Sequence, residues 1–425
     1  MIIMKRYSAY KDSGIEWIGQ IPNDWKTKKL KYMLRNFDGR RVPLSSEQRA
    51  EMRGEYPYYG SNGIVDHVNS YLFDGEFILL GEDGAPFFEA YKDVAFLVCG
   101  RFWVNNHAHI LKANLNYCQR FLTYLLNRVD YRRHITGSTR DKLTQDDMSS
   151  IKLPVAEQCE QEAIADYLDR KTAQIDDLIA KKEKVIELLK EERTAVINQV
   201  VTKGLDLQAE MKDSGIEWLG KIPKHWEIKR LKYVANINPQ RANGISDETK
   251  VVFIAMESMN ADGTYDNSIV RSYLEVKSGF TYFAEEDVIF AKITPCFENG
   301  KGALLHNLGM PIGFGSTEFH VLRAVKNKTI PEYLYFLAIS GVFRVLGEAS
   351  MQGVAGQKRV TSDFVRDFII GVPLVNEQTK ISVYLKDKIK KIDTQIVREN
   401  KSIEYLKEYR TALISEVVTG KICLC

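Results

Sequence analysis

The residues of this 425-residue chain that could do chemistry lie in short polar groups. His107 and His109 stand two apart, so on a strand both rings would face one side and could meet one ligand. No Asp, Glu or Cys near them in sequence supplies a third metal ligand at a familiar spacing. We therefore interpret both as ordinary surface or core histidines and predict no metal site.

Two acidic groups, Glu82-Asp83 and 285–287, could hold Mg²⁺, but each lies at a junction between a predicted strand and a turn, where solvated carboxylates are common. The glycines of 353–358 lack the GxxxxGK[ST] spacing of a phosphate-binding loop. The segment 238–241, Asn-Pro-Gln-Arg, lacks the second proline and the aromatic residue with which an amino-methyltransferase would hold an extruded base. We therefore predict no catalytic residue and no cofactor bound by this chain.

Polar and basic side chains that can bind base edges and phosphates are the remaining candidates. The stretch from Arg101 to Lys142 carries eight basic residues and two acidic ones, a modest polyanion signal. The candidates in the first half are Ser61, Asn62, Arg101, Asn105, His107, Ser138, Thr139, Arg140 and Lys142. Those in the second half are Lys292, Thr294, Asn299, Lys301, Ser316, Thr317, Gln357, Lys358 and Arg359. The prediction depends on the two sets occupying corresponding places in a duplicated sequence.

An internal duplication must position both sets. The segment 11–19 (KDSGIEWIG) recurs at 212–220 (KDSGIEWLG), and each copy is followed by short strands and turns. Each half then reaches a proline, a Glu-Gln pair and a long patterned stretch, and we match Glu157-Gln158 with Glu377-Gln378. The sequence between these frames differs, so we expect one scaffold to present two different central surfaces.

The two patterned stretches predict a pair of long helices. Apolar residues between Cys159 and Val201 recur every 3.5 residues, the spacing of a coiled-coil seam, and Gly204 is a stop signal. The pattern returns 217 residues later, so the partner helix belongs to the same chain. Lys182 and Glu399 hold equivalent mid-seam positions, either as snorkelling side chains or as an opposite-charge pair that fixes the register. The predicted helix–helix interface is Leu168, Ile175, Ile179, Lys182, Ile186, Leu189, Val196, Leu385, Ile392, Ile396, Glu399, Ile403, Leu406 and Leu413.

Strand and helix signals in the globular parts predict a mixed α+β fold. We expect a hairpin at 58–65 and another at 71–80 that turns at Asp74-Gly75. We also expect an amphipathic helix at 117–129 and a matching helix at 331–343. The predicted domains are 1–155, a central helix at 156–204, 205–375, and a C-terminal helix at 376–425.

The composition is typical of a globular cytoplasmic protein, with 44% hydrophobic and 27% charged residues. The six cysteines show no zinc-type pairing, so we expect free, buried thiols in a reducing compartment. Residues 1–7 do not have the pattern of a signal peptide, and no apolar run approaches the ~20 residues of a membrane span.

Taken together, these motifs resemble the specificity (S) subunit of Type I restriction-modification enzymes, over about residues 10–422. The features that carry the resemblance are the duplicated GIEW openings, the Gly-Ser-Thr-Arg element at 137–140, the YYGSNG stretch at 58–63, the segments 293–301 and 315–319, and the Arg-Thr-Ala and Val-Val-Thr helix ends. Residues 353–359 depart from the Gly-Ser-Thr-Arg form.

The resemblance implies two duplicated α/β target recognition domains joined by two long antiparallel spacer helices, with a pseudo-two-fold relation. Each domain would read one half of a bipartite, asymmetric target in double-stranded DNA, and the helices would set the spacer between the halves. Two modification (methyltransferase) subunits would supply S-adenosylmethionine and adenine-N6 chemistry. Restriction subunits would add ATP- and Mg-dependent translocation and cleavage.

Two other functions stay open at this point. A coiled-coil adaptor would bind proteins with its globular parts, and absent or salt-insensitive DNA binding would favour it. A self-contained nuclease or methyltransferase would need a nucleotide or cofactor loop, and activity of the isolated chain would favour it.

Overall fold

The computed structural model describes residues 5–136, 141–241, 243–354 and 356–424. The chain divides into two compact units. The first unit consists of Met1–Glu183 and Glu399–Cys425, and the second of Lys184–Arg398. Each unit therefore contains strands, short helices and a part of each long helix.

The first unit is built on a six-stranded sheet with the order β4-β9-β7-β8-β5-β6. Its strands are β1 (Tyr10–Asp12), β2 (Gln20–Pro22), β3 (Lys26–Lys29), β4 (Leu34–Asn36), β5 (Arg53–Gly60), β6 (Gly63–Val68), β7 (Phe73–Gly81), β8 (Ala95–Val104), β9 (Ala108–Ala113), β10 (Ile135–Thr136), β11 (Lys142–Leu143) and β12 (Lys152–Val155). Its helices are α1 (Ser46–Glu51), α2 (Gln119–Leu126), α3 (Gln145–Ser150) and the start of α4 (Gln158–Lys203), with 3-10 turns at Leu30–Tyr32, Asp38–Arg40 and Tyr131–Arg133.

The sheet of the first unit has apolar side chains on both faces, because successive residues of a strand point to opposite sides. On one face Ile78 and Leu80 join the main core together with α2 and α4. On the other face Phe77 and Leu79 belong to a second cluster that is rich in phenylalanine. The sheet therefore separates two cores within one unit.

The two predicted hairpins have different outcomes. The hairpin at 58–65 is confirmed as β5, a tight turn and β6. The predicted turn at Asp74-Gly75 is wrong, because β7 runs through it. Gly75 (φ +122°) lies directly opposite Gly100 (φ +91°), and without a Cβ both can adopt these angles while the strands stay paired.

The second unit contains two four-stranded sheets, β16-β23-β20-β21 and β18-β17-β22-β19. Its strands are β13 (Met211–Asp213), β14 (Lys221–Pro223), β15 (Glu227–Arg230), β16 (Ala235–Ile237), β17 (Lys250–Ile254), β18 (Val270–Ser272), β19 (Thr281–Ala284), β20 (Val288–Ala291), β21 (Gly302–Leu304), β22 (Ile312–Gly315), β23 (Phe319–Ala324) and β24 (Ile369–Val372). Its helices are α5 (Tyr273–Val276), α6 (Pro331–Ala338), α7 (Gly341–Ala349), α8 (Ser362–Asp367) and the start of α9 (Val375–Val418), with a 3-10 turn at Leu231–Tyr233.

The two units share a frame and differ between its parts. The pairs β1–β2 and β3–β12 of the first unit recur as β13–β14 and β15–β24. The strands β4, β9 and β7 recur as β16, β23 and β20 with the same antiparallel pairing. The predicted α+β class, the duplication and the divergent centres are therefore confirmed.

The predicted helix at 331–343 is wrong in its extent. It is two helices, α6 and α7, separated at Ile339-Ser340. The Ser340 hydroxyl accepts a hydrogen bond from the Phe343 amide (3.3 Å), so it caps a new helix rather than continuing the first one.

In each unit a tryptophan that follows the repeated opening segment, Trp25 or Trp226, is hydrogen-bonded to the start of a long helix. Trp25 Nε1 donates to Glu160 Oε2 (3.1 Å), and Trp226 Nε1 donates to Glu377 Oε1 (3.1 Å). The buried amide of Gln161 follows the first glutamate, and that of Gln378 follows the second. The expected match of Glu157-Gln158 with Glu377-Gln378 is therefore wrong, because the equivalent pair lies one helical turn further along α4.

These two glutamines satisfy backbone groups of the loop before α2 or α6. Gln161 accepts a hydrogen bond from the Cys118 amide (2.9 Å) and donates to the Ala156 carbonyl (2.9 Å). Gln378 accepts from the Ile330 amide (3.1 Å) and donates to the Pro373 carbonyl (2.9 Å). The motif thus joins sheet, short helix and long helix in each unit.

The long helices α4 and α9 pack antiparallel within each unit. In the first unit Asp176 pairs with Arg410 (3.0 Å), and Lys182 further along α4 pairs with the earlier residue Glu399 (2.7 Å). In the second unit Glu192 of α4 pairs with Lys388 of α9 (2.7 Å). Every residue of the predicted interface is buried or half-buried. Lys182 and Glu399 are each 23% exposed, so they form an opposite-charge pair that stays in contact with water.

Two smaller expectations concern the thiols and the membrane. Cys118 is buried, but Cys99 and Cys159 are exposed, so the expectation that all thiols are buried is wrong. Among the described residues, no helix is both long and apolar enough to cross a membrane.

Candidate nucleic-acid interface

A cluster of four charged side chains lies where β7 ends in the first unit, and we call it the first-unit charge cluster. It consists of Asp38, Arg41, Glu82 and His109. Arg41 Nη1 donates to Glu82 Oε2 (2.5 Å), and its Nη2 lies 3.6 Å from Asp38 Oδ2. His109 is fully buried, with Nδ1 2.6 Å from Asp38 Oδ2 and Nε2 2.9 Å from the Leu143 carbonyl.

Both ring nitrogens of His109 face acceptors. Nδ1 lies against the Asp38 carboxylate and Nε2 against the Leu143 carbonyl. Burial raises the pKa of Asp38. The hydrogen bond and charge of His109, the Ile110 amide and the charge of Arg41 together outweigh burial and leave the pKa below its usual value. The cluster thus contains two carboxylates, a guanidinium and an imidazole.

The same cluster contains a possible metal-ligand set. One ligand atom each from Asp38, Glu82 and His109 lies within 4.8 Å of the others. Sequence analysis missed the set because its members come from three distant segments. The guanidinium of Arg41 already supplies the positive charge that these carboxylates need. We therefore interpret the cluster as structural, since it ties the strand that begins at Lys142 to the sheet.

The second unit has an uncharged counterpart. His320 Nε2 donates to the Val360 carbonyl (2.9 Å), as His109 does to Leu143. Its Nδ1 faces the amide nitrogen of Asn238 (3.2 Å), which stands in the place of Asp38. Burial lowers the pKa of His320, so this ring is neutral. In both units a buried histidine thus holds the residue that follows a candidate basic residue, Leu143 after Lys142 and Val360 after Arg359.

Most first-unit candidates surround the end of β7. Asn62 Nδ2 donates to the Gly84 carbonyl (3.1 Å), and Ser61 lies in the same turn. Asn105 accepts a hydrogen bond from the amide of His107 (2.8 Å). The ring of His107 pairs with Asp83 (2.5 Å), and Lys142 lies 3.4 Å from Glu82.

Among the described first-unit candidates, Arg101 is not part of this group. Arg101 pairs with Asp74 (3.2 Å) and stacks on Tyr71 (4.9 Å from guanidinium to ring centre), away from the end of β7. Ser138, Thr139 and Arg140 lie outside the described residues.

In the second unit the candidates surround Glu318. Arg359 donates to both oxygens of this carboxylate (2.9 Å each), so its charge is already matched. The amide of Lys292 donates to the Glu318 carbonyl (2.8 Å), and Ser316 Oγ accepts from the Glu318 amide (3.2 Å). The remaining six candidates lie nearby or on loops. Thr294 donates to the Lys358 carbonyl (3.2 Å), and Lys301 donates to the Met256 carbonyl (3.2 Å). The other four, Asn299, Thr317, Gln357 and Lys358, are exposed.

The family model of the Type I restriction modification DNA specificity domain matches residues 22–188 and 223–405, together more than half of the chain. The chain belongs to this family. The two matches fall on the two copies of the shared frame. The anchored histidines described above are therefore features of a duplicated specificity domain.

Relatives in sequence are named specificity subunits. The chain is 37% identical to the EcoEI specificity subunit of Escherichia coli over 163 residues, which cover 38% of this chain and 27% of that protein. It is 39% identical to the EcoAI specificity subunit of Escherichia coli over 165 residues, which cover 38% and 28%. The matched segment thus spans under a third of these relatives. The MjaVIII specificity subunit of Methanocaldococcus jannaschii is 20% identical over 446 residues, which cover 99% of this chain and 98% of that one.

Solved structures share the fold. A chain from a type I R-M system, studied for its complex assembly and conformational transition, is similar with a TM-score of 0.67 and 12% identity, covering 95% of this chain and 99% of that one. The HsdS subunit from Thermoanaerobacter tengcongensis is similar with a TM-score of 0.52 and 13% identity, covering 95% and 98%. At these identities the similarity establishes the fold of a specificity-domain chain.

The first specificity domain also contains exposed cations that sequence analysis missed. Arg35, Arg40 and Lys112 each lie over a phenylalanine ring, at 5.0, 4.9 and 5.1 Å from its centre. The sequence contains a usable signal for Arg35, because a basic residue two positions before an aromatic one on a strand lies on the same face as that ring, here Phe37. The stacking partners Phe73 and Phe77 come from a distant strand, so only the fold shows the group.

Proposed function

We propose that this chain is the DNA sequence-specificity subunit of a Type I restriction-modification enzyme and is not itself catalytic. The duplicated frame carries the proposal. Each unit holds one anchored loop site on the same frame, next to a central sheet that differs between the units. Two copies of one frame that present different central sheets are suited to reading two different half-sequences in one bipartite, asymmetric DNA target.

The candidate side chains differ in whether they are exposed or already paired within the protein. Asn62, Thr317, Gln357 and Lys358 are exposed, and their side chains are of the kinds that bond base edges or phosphates. Arg359 is occupied by Glu318, so we assign it to holding the loop. We accordingly expect the exposed group to contact DNA and the paired group to set its position.

The proposal places the chemistry on partner subunits. Two modification subunits would bring S-adenosylmethionine and methylate adenine at N6, and restriction subunits would use ATP and Mg²⁺. The family membership and the similar fold of a type I R-M system chain support such an assembly. We further propose that the long helices, of 46 and 44 residues, set the number of unread base pairs.

Methylation mapping tests the reading function. The chain is co-expressed with its modification subunit in a host that lacks adenine methylation, and N6-methyladenine is mapped by single-molecule sequencing. We expect a split motif with a fixed gap that disappears when the chain is omitted. An unmethylated genome, with the two subunits shown to associate, would contradict the proposal and favour the adaptor function.

A length change tests the spacer function. Seven residues are inserted into α4 after Lys182 and seven into α9 before Glu399, so that both helices lengthen together. At about 1.5 Å per residue the insertion adds roughly 10 Å, the rise of about three base pairs. We expect both half-sites to stay the same and the gap to grow. Changed half-sites with an unchanged gap would refute this part of the proposal.

A further inference from the structure

The first unit places two like charges directly opposite each other on neighbouring strands. Arg35 of β4 and Lys112 of β9 are cross-strand partners, and both are exposed. Like charges in this position destabilise a sheet. Neither cation has a carboxylate partner among the described residues, and the same holds for Arg40 nearby. The arrangement therefore lowers the stability of the sheet, and the strand pairing itself does not require it.

The cations are held by one group of touching rings. Arg35 lies over Phe37, Arg40 over Phe73 and Lys112 over Phe77. The centres of Phe37 and Phe73 lie 5.4 and 5.5 Å from that of Phe77. A ring face attracts a cation without neutralising its charge, and it limits the freedom of the side chain. The three charges are therefore concentrated and oriented in one place, which we call the cation–phenylalanine patch.

The second unit shows how the same position looks when the charge is neutralised. There the cross-strand pair is Asn236 and Arg323. Arg323 donates to both oxygens of buried Asp287 (2.7 Å each). By strand pairing, Asp287 occupies the place of Phe77, since Val288 is the counterpart of Ile78. The first unit thus has a phenylalanine where the second has a carboxylate, and its cations stay available to an external anion.

We infer that the cation–phenylalanine patch binds backbone phosphates of duplex DNA and that the second unit has no such site at the equivalent place. This inference rests on the proposed function. The patch adjoins the end of β7 through one 3-10 turn, because Arg40 lies on the patch and the next residue, Arg41, lies in the first-unit charge cluster. Phosphate contacts at the patch would fix the position of the first unit, while the exposed side chains around β7 read bases.

The test is the salt dependence of DNA binding by the full-length chain. The Arg35→Gln/Lys112→Gln variant is compared with Lys92→Gln/Lys181→Gln, which removes the same charge from cations paired with Glu89 and Asp177. Binding to a fluorescent duplex is measured from 50 to 200 mM salt. Each lost phosphate contact lowers the log–log slope by about 0.9, so the patch variant should lose about 1.8. The ratio of wild-type to patch-variant affinity should therefore fall roughly tenfold between 50 and 200 mM salt. The control variant should keep the wild-type slope.

Two further readouts keep the inference testable. Thermal unfolding of the patch variant should occur at or above the wild-type temperature, because the change removes a like-charge pair. An unchanged slope in a folded variant, or an equal loss in the control variant, would overturn the patch while leaving the proposed function intact. Wild-type chain that shows no salt-dependent DNA binding would overturn the proposed function and the patch with it.

Discussion

Replacement of Arg41 by methionine should destabilise the first unit strongly. The change leaves Asp38 and Glu82, whose side chains are 2% and 12% exposed, without their shared guanidinium. Removing one partner of a buried ion pair typically costs about 3–5 kcal/mol. His109 still faces Asp38, and Lys142 still lies near Glu82, so we expect the lower end, about 3 kcal/mol.

The duplicated frame supplies a matched control. Arg241 lies three residues after Asn238, as Arg41 does after Asp38, but it is exposed, and among the described residues its one hydrogen-bond acceptor is the Lys277 carbonyl (2.6 Å). Arg241→Met should therefore change stability by less than about 0.5 kcal/mol. Hydrogen exchange in the full-length chain measures the local opening free energy, from peptides of β7 and β9 for Arg41→Met and from the equivalent strands β20 and β23 for Arg241→Met.

The pH dependence of the deficit gives a second check. The pKa of Asp38 is lower in the native protein than in the unfolded chain, where it is about 3.9. Asp38 therefore stabilises the fold at pH values above about 3.9, and this stabilisation is lost as the pH falls through the native pKa. Without Arg41, Asp38 loses a positive charge that lowers its pKa, so it takes up a proton at a higher pH in the fold. The deficit of Arg41→Met should therefore shrink between pH 7 and pH 5. A deficit below 1 kcal/mol, or one that is independent of pH, would refute the reasoning.

Three further predictions concern the helices and their anchors. The Lys182→Leu/Glu399→Leu variant should permit slipped pairing of α4 and α9, and cysteine cross-links that stay confined to the native register would contradict it. Gln378→Leu should lower the free energy of unfolding in urea by about 2–4 kcal/mol, because it leaves buried backbone groups unpaired. Gln158→Leu, at an exposed position, should leave that free energy nearly unchanged, and equal losses in the two variants would contradict the matching of Gln161 with Gln378. Gly420→Ala should cost more than 1 kcal/mol by thermal unfolding, since φ is +71° and the new Cβ would lie 2.4 Å from a proline ring, and an unchanged melting temperature would show that the chain end adapts.

The sequence was sufficient for features that depend on periodicity or repetition. The helical seam, the stop at Gly204 and the β5–β6 hairpin follow from local rules that act within a few residues. The Asp74-Gly75 pair does not by itself predict a turn. Gly75 has a positive φ within a strand, because a second glycine, Gly100, lies opposite it and lets the strands stay paired. That partner is set by tertiary pairing, which local sequence does not encode.

The candidate site was harder to predict because its contacts join distant segments. The sequence gives no sign that Arg359 is matched by Glu318, or that His109 meets Asp38, since 41 and 71 residues separate the members of each pair. An isolated basic residue therefore has the same appearance whether it is paired or available. Only the fold separates a cation that holds a loop from one that can bind an anion.

The division of the chain into units also bears on the order in which it folds during synthesis. The second unit is one continuous segment, Lys184–Arg398, so its chain is complete while the last part of α9 is still unmade. The core of the first unit contains Leu413, Ile414, Val417 and Val418, which are translated after the second unit, together with Trp25 and Phe121. Although its first segment is translated before the second unit, the first unit therefore cannot complete this core until those four residues are made. A nascent chain whose residue 398 has just emerged from the ribosome would therefore carry a second unit able to close and a first unit in need of protection.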